Sequence, residues 1–227
     1  MSNAAKLLDE LGRPAYLRLG SRFSCQVPRS SLTTGDATLD ALLGGGFPCG
    51  QMTELVGQRS AGGTALVTQV AARTTRRGET IAWIDPLDQL EPDSLIACGA
   101  NLAGILWLRP QSFDDTLRAA DLLLRTGGFG LVVMHLGDEV VRRRVAQWRR
   151  LQQAVEQART VLLISSARRV ADSSAALVLE MCAARARWTH GAGRRLLLEG
   201  IDAQLSVARN RFGRVGDEMH LSWRTAA

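Results

Sequence analysis

A chain of 227 residues with 46% hydrophobic content fits one ordinary α/β domain, or a domain with a short extension, and can bury a sizeable core. No apolar run is long enough to cross a bilayer, and Met1–Glu10 lacks the basic-then-apolar pattern of a secretion signal, so a cytoplasmic protein with no membrane partner is expected. The net charge is +6 but Lys6 is the only lysine, and an arginine excess of that kind also follows from genomic base composition, so it carries weight only where it clusters.

The first 31 residues read as a lead-in. Ala4–Leu11 predicts a short helix with Leu7, Leu8 and Leu11 on one face; Arg13-Pro14 ends it, and the polar stretch Ser21–Ser31 follows. The segment is too small for a core of its own and is expected to dock on something. The domain proper is expected to run from 32 to 227.

From Leu32 the pattern becomes strand–helix–strand. Met52–Val56 predicts an apolar strand, and a helix through Arg77 is closed by Gly78. Further strands are expected at Thr80–Asp85, Ile105–Leu108, Leu131–Met134 and Val161–Ser165. Between them lie the loop Pro86–Pro92 and helices at Asp93–Cys98, Phe113–Thr126 (stopped by Gly127-Gly128) and Asp138–Arg159. That alternation implies a mostly parallel sheet with helices on both faces. After Ala175 four strand-like stretches, Ala176–Cys182, Arg195–Glu199, Gln204–Ala208 and Met219–Trp223, are separated by turn signals at Gly191–Gly193, Asp202 and Gly213–Gly216. They predict an antiparallel C-terminal extension of the sheet.

Between the first of these strands and its helix stands Gly57-Gln58-Arg59-Ser60-Ala61-Gly62-Gly63-Thr64. A strand, then G-x-x-x-x-G-K-[ST], then a helix is the phosphate loop of many nucleotide hydrolases. Its backbone N–H groups and helix N-terminus hold the anion, its lysine meets the outer phosphates and its hydroxyl holds magnesium. Gly57, Gly62 and Thr64 keep the frame; Gly63 stands where the lysine belongs.

The surroundings carry a resemblance. The run Leu32–Gly57, with Thr34-Gly35, Leu39-Asp40, Gly44-Gly45-Gly46, Pro48-Cys49-Gly50 and Glu54-Leu55-Val56-Gly57, resembles the core of the bacterial RecA recombinases. The likeness extends through Trp83–Pro92 to Arg109-Pro110, and returns at Thr160–Ser166 and at Val207–Arg211; Leu17–Gly20 matches an equivalent turn. A RecA-like P-loop NTPase fold is what the resemblance implies.

Carried across residue by residue, the same resemblance implies losses. The phosphate-loop lysine falls on Gly63, the water-activating glutamate on Leu87, and the magnesium-linked aspartate on His135. Each charge-assisted bond to phosphate contributes on the order of 1.5–3 kcal/mol. A micromolar complex has only about 8 kcal/mol in all. A non-enzyme without a cofactor is therefore expected. The recombinases' two mobile DNA loops shrink here to His135–Thr160 and Ala167–Ser174, and their large C-terminal domain is expected to be missing.

Five arginines cluster on the long helix: Arg142, Arg143, Arg144, Arg149 and Arg150, opposite an apolar face of Val141, Val145, Trp148, Leu151 and Val155. They are either a solvated helix face or a docking surface for DNA backbone or an acidic protein patch. Arg209 and Arg211 resemble the basic pair with which a RecA subunit reaches its neighbour's nucleotide; here they are candidates for contact with a true recombinase. Trp83 and Trp107 read as core. Cys25, Cys49, Cys98 and Cys182 form no C-x-x-C pair, so reduced thiols are expected and no metal site.

A short RecA-like chain with a degenerate phosphate loop resembles the ImuA family of DNA-damage-induced (SOS) accessory factors of translesion synthesis and mutagenesis. That resemblance implies partnership with ImuB, an inactive Y-family polymerase relative, and with an error-prone replicative-type polymerase. RecA itself is a further expected partner, and DNA binding, where it occurs, is expected to be weak and non-specific. Two alternatives stay open: a SulA-like cell-division inhibitor, and a residual RecA-like ATPase using other residues.

Overall fold

Short runs rich in Val, Ile and Leu, each followed by an amphipathic helix, organise a single mixed sheet. The computed structural model describes residues 30–138, 145–190 and 196–224. In chain order these hold β1 (Ser31–Leu32), α1 (Ala37–Leu42), β2 (Phe47–Pro48), β3 (Gln51–Gly57), α2 (Gly63–Arg76), β4 (Ile81–Ile84) and α3 (Pro92–Ala97). Then come β5 (Ile105–Leu108), α4 (Phe113–Thr126), β6 (Leu131–Gly137), α5 (Val145–Ala158) and β7 (Val161–Ser166). Three long strands close the described part: β8 (Leu177–His190), β9 (Leu196–Asn210) and β10 (Glu218–Arg224).

The eight-stranded sheet has the order β10-β9-β8-β3-β7-β6-β4-β5, while β1 and β2 pair separately. Strands β8, β3, β7, β6, β4 and β5 are mutually parallel; β9 and β10 add on antiparallel. The mostly parallel sheet with an antiparallel C-terminal extension is therefore as the sequence pattern implied. Both faces of the parallel strands are covered. In β6, Leu131 and Val133 join the core under α2, whereas Val132, Met134 and Leu136 join the core under α4 and α5.

Local chemistry ends the helices where the sequence places the signals. Asp36 caps α1 by accepting from the Leu39 N–H at 2.9 Å, and Ser112 caps α4 through the Asp115 N–H at 3.1 Å. Gly78 and Gly127 follow α2 and α4 with φ of +81° and +72°.

The structure corrects expectations at Asp202, Asp138, Val145 and Trp107. Asp202 is no turn: β9 runs unbroken from Leu196 to Asn210, joining the two strands expected there (Arg195 lies outside the described residues), and Asp202 sits mid-strand, ion-paired with Arg187 at 3.2 Å. Gly200 lies two residues earlier on the same strand. It is a glycine because β10 passes so close that a Cβ would lie 2.2 Å from the Trp223 carbonyl oxygen. Asp138 lies in a turn after β6; α5 is described only from Val145, and 139–144, with Val141, Arg142, Arg143 and Arg144, lie outside the described residues. Val145 itself is 46% exposed, because the sheet-facing layer of α5 begins one turn later at Trp148 and continues through Leu151 and Val155. Trp83 is fully buried as expected, but Trp107 is only half-buried on the edge strand, with the Arg109 guanidinium 5.0 Å from its ring centre. Leu7, Leu8 and Leu11 also lie outside the described residues.

One carboxylate sits inside the sheet. Glu54, in the middle of β3, is fully buried and accepts from the backbone N–H groups of Val170 and, at 3.2 Å, Ala171. Burial pushes its carboxyl above the usual range, with the two N–H groups and Arg169 pulling the other way. A folded-state value above the unfolded one means that stability falls as pH rises through that window. Glu54→Gln keeps the acceptor and removes the charge. Chemical denaturation is expected to show Glu54→Gln within about 1 kcal/mol of the parent at pH 7, without the parent's fall in stability on going up from acid pH. Glu54→Ala should lose about 1–3 kcal/mol, because both N–H groups are left buried and unpaired.

Candidate functional site: a phosphate-loop frame without its charges

The C-terminal ends of parallel strands in an α/β sheet are where such folds place ligands. Here β3 delivers the chain into a loop in which Ser60 (φ +66°) and Gly62 (φ +91°) both take left-handed backbone, and α2 begins at Gly63. The Ala61 N–H donates to the Gln58 carbonyl at 3.0 Å, and the Leu66 N–H to that of Gly62 at 3.2 Å. The loop folds around a cavity of about 250 Å³ lined by Gln58, Gly63, Thr64, Gln89, His135 and Ser165, among others.

The glycines of the loop differ in why they are glycines. A Cβ on Gly57 would lie 2.8 Å from the Cβ of Met181 on β8. One on Gly62 would meet Trp223 of β10 at 3.0 Å and Ala203 of β9 at 3.1 Å, on backbone that already disfavours a side chain. Trp223 is fixed there by its indole N–H, which donates to Gln69 of α2 at 2.6 Å. The C-terminal strands thus pack against the loop from outside. At Gly63 the surroundings are open: a Cβ would stand 3.7 Å from Leu55 and 4.0 Å from Met181, ordinary contact distances.

Of the residues singled out in the sequence, Gly57, Gly62, Gly63, Thr64 and His135 come together on this cavity. His135 lies near the end of β6 opposite Ser165, buried, its ring 6.3 Å from that of Trp83, and its Nδ1 has no hydrogen-bond partner. Burial depresses its pKa, against a smaller upward pull from Asp85, so the imidazole is neutral at pH 7 and acidification opposes folding. Leu87 stands beside the cavity, 39% exposed, on the turn after β4 near Gly137. That turn is shaped by Asp85, which is fully buried and accepts from the N–H groups of Gln89 at 3.1 Å and Leu90 at 2.8 Å.

Magnesium-bound nucleotide is the group such a frame implies, and the donor set does not suit it. The loop offers N–H groups and the Thr64 hydroxyl but no lysine. The strand-end position holds a neutral imidazole instead of a carboxylate, and no cluster of three His, Cys, Asp or Glu side chains occurs among the described residues. The cation present, Arg59, is 74% exposed at its side chain and paired with Asp138 at 3.6 Å. Sequence reading passed over Arg59, Gln89, Asp138 and Ser165; the last could have been found as the end of a parallel strand.

The arginines fall elsewhere. Arg149 is exposed. Arg150 is bound to Asp121 of α4, its Nε donating to Oδ1 at 3.0 Å. Arg209 donates to the Asp172 carbonyl at 3.1 Å and Arg211 to that of Ser173, so both grip the loop that Glu54 holds from the other side.

A strand–loop–helix at the carboxyl end of a mostly parallel, doubly covered sheet defines the P-loop class of α/β proteins. Within it, residues 1–178 match the RecA N-terminal domain, and the chain belongs to that family. It is 31% identical to Protein RecA of Lactobacillus acidophilus over 130 residues, which cover 57% of this chain and 35% of that protein. It is 35% identical to Protein RecA of Rubrobacter xylanophilus over 126 residues, 55% of this chain and 36% of that one. The chain thus spans little more than a third of the length of these curated relatives. A crystal structure of the RadB recombinase superposes with a TM-score of 0.63 at 19% identity, covering 83% of this chain and 94% of that one, a likeness of fold.

The loop geometry predicts an unequal glycine series. Gly57→Ala and Gly62→Ala should each lose about 1–3 kcal/mol in thermal or denaturant unfolding, through overpacking and left-handed strain. Gly63→Lys should unfold within about 1 kcal/mol of the parent, since the surface position has room and helix propensity favours lysine over glycine.

Proposed function

We propose that this chain is a non-enzymatic RecA-like accessory factor of DNA-damage-induced translesion synthesis, of the ImuA type. It would act in the cytoplasm as a protein-binding partner of an ImuB-like inactive Y-family polymerase. The observation that supports this reading is a phosphate-loop frame kept in full while Gly63, Leu87 and His135 stand at every position that would carry charge. A recombinase needs nucleotide turnover to cycle on DNA; a scaffold needs only the fold. The loop's support by Met181, Ala203 and Trp223 agrees with a site whose shape does not depend on phosphate. RecA and an error-prone replicative-type polymerase are the further partners of this reading.

DNA binding, in this reading, is weak and backbone-driven. Arg150 is committed to Asp121, so Arg149 together with Arg142, Arg143 and Arg144 would carry it. No helix of the described residues is long and apolar enough to cross a membrane.

A residual ATPase is the second reading, favoured by one observation: Arg59 in the loop. Its exposed pair with Asp138 contributes at most about 1 kcal/mol and would yield to a phosphate. The same frame without its lysine also leaves the SulA-like division inhibitor in view.

Two experiments separate these. Purified protein with magnesium and ATP, with and without single-stranded DNA, is expected to release no phosphate. Magnesium-dependent release that disappears in Thr64→Ala or Arg59→Ala would overturn the non-enzymatic assignment. In a pull-down, the chain is expected to retain the inactive Y-family polymerase homologue and not the tubulin-like division protein; the reverse result would favour the division inhibitor.

A further inference from the structure

Strand β8 is longer than the sheet it belongs to. Its pairing with β3 ends at Met181, where β3 leaves for the phosphate loop, whereas its pairing with β9 continues to His190. From Cys182 onward β8 and β9 form a two-stranded ribbon, and among the described residues no strand covers its β8 edge. Both faces of the ribbon meet solvent: Arg185, Ala186 and Thr189 are exposed, as are Trp188 at 57%, Leu197 at 53% and Leu198 at 38%. Trp188 and Leu198 are cross-strand partners. An uncovered edge nine residues long with a large apolar pair beside it is a template for strand addition.

We propose that this edge binds an extended segment of a partner protein in which carboxylate and apolar residues alternate. The alternation follows from the pleat. Arg185 and Arg187 project from one face of β8, while Ala184, Ala186 and Trp188 project from the other. Asp202 is the partner of Arg185 in the strand register and the ion-pair partner of Arg187, so two arginines and one carboxylate share that face and it keeps a positive excess. An added strand is favoured when its residues over that face are Asp or Glu. On the opposite face the two small alanines beside Trp188 leave a shallow seat for larger aliphatic side chains.

Charge also disposes of the other occupants. In the fully overlapped antiparallel pairing of two copies, centred on Ala186, Arg185 of each falls opposite Arg187 of the other. Moving the centre one residue either way sets an arginine opposite its own copy. Like charges directly opposed across strands are destabilising, so the ribbon discriminates against itself. Single-stranded nucleic acid needs successive aromatic platforms, and the exposed stretch of β8 offers one indole. The proposal stands on the ribbon alone and is independent of the state of the phosphate loop.

The test uses the full chain and a fluorescein-labelled peptide of about ten residues alternating Glu and Val, long enough to cover the edge. Its Lys–Val counterpart and an oligothymidine serve as comparison ligands. Fluorescence anisotropy is expected to show saturable binding of the Glu–Val peptide alone, with affinity reduced about tenfold or more by Trp188→Ala. Arg185→Glu should also weaken it, and should let the Lys–Val peptide bind instead. Hydrogen exchange should show the outward-facing amides of residues 182–190, those not bonded to β9, becoming protected on peptide addition. Four outcomes would overturn the proposal. These are equal binding by both peptides, affinity unchanged in both variants, tighter binding of oligothymidine with protection of the same amides, and outward-facing amides already protected in the free chain, which would mean a second copy or a segment of the chain itself occupies the edge.

Discussion

Everything else in this molecule is arranged around β3. Like β7, β6 and β4 it has parallel neighbours on both sides, here β7 and β8, and its middle residues Met52–Leu55 are buried. A strand in that position has every backbone group engaged and no freedom to slip, because a shift of one residue would exchange its two faces. Its register therefore fixes where Gly57 emerges and hence where the loop and the start of α2 stand. Met52 points into the core under α4 and α5, and Leu55 into the core under α2. A charge placed in such a strand must find fixed donors, and Glu54 finds them in the Val170 and Ala171 N–H groups, across more than a hundred residues of sequence.

That reach explains a second feature. The segment Ala167–Ser174 corresponds to a place where the recombinases carry a mobile DNA loop, according to the sequence resemblance. Here it is short and held from several directions: Glu54 takes two of its N–H groups, Arg209 and Arg211 take two of its carbonyls, and Ser166 takes the carbonyl of Arg168. Arginines suited by sequence to an intermolecular role are thus engaged within their own chain.

Much of the fold was legible because its signals are local. Periodicity gave the parallel strands, and glycines at positive φ gave the ends of α2 and α4. The frame Gly57, Gly62, Gly63, Thr64 was legible for the same reason, being a contiguous motif with a physical meaning at each position. What sequence could not supply was anything set by a distant approach. Gly200 looks like a turn residue until the carbonyl of Trp223 is seen to occupy the space of its Cβ. Arg150 looks free until Asp121, twenty-nine residues earlier, is found to hold it. The cluster Arg142–Arg150 reads as one surface, yet Arg150, one of its two described members, is ion-paired with Asp121.

The contrast among the loop glycines bears on what holds the loop in shape. Where a phosphate loop works, the anion and its lysine help hold the backbone turn, because N–H groups that converge on a point repel one another without a charge between them. In this chain the turn has a different support. Met181, Ala203 and Trp223 fill the space outside Gly57 and Gly62, and the Trp223–Gln69 hydrogen bond ties the last strand to the helix that the loop begins. Apolar packing from β8, β9 and β10 thus reaches the loop at Gly57 and Gly62, which stay under steric constraint whether or not a nucleotide binds, and leaves position 63 open, where a lysine would act on a ligand and not on the fold.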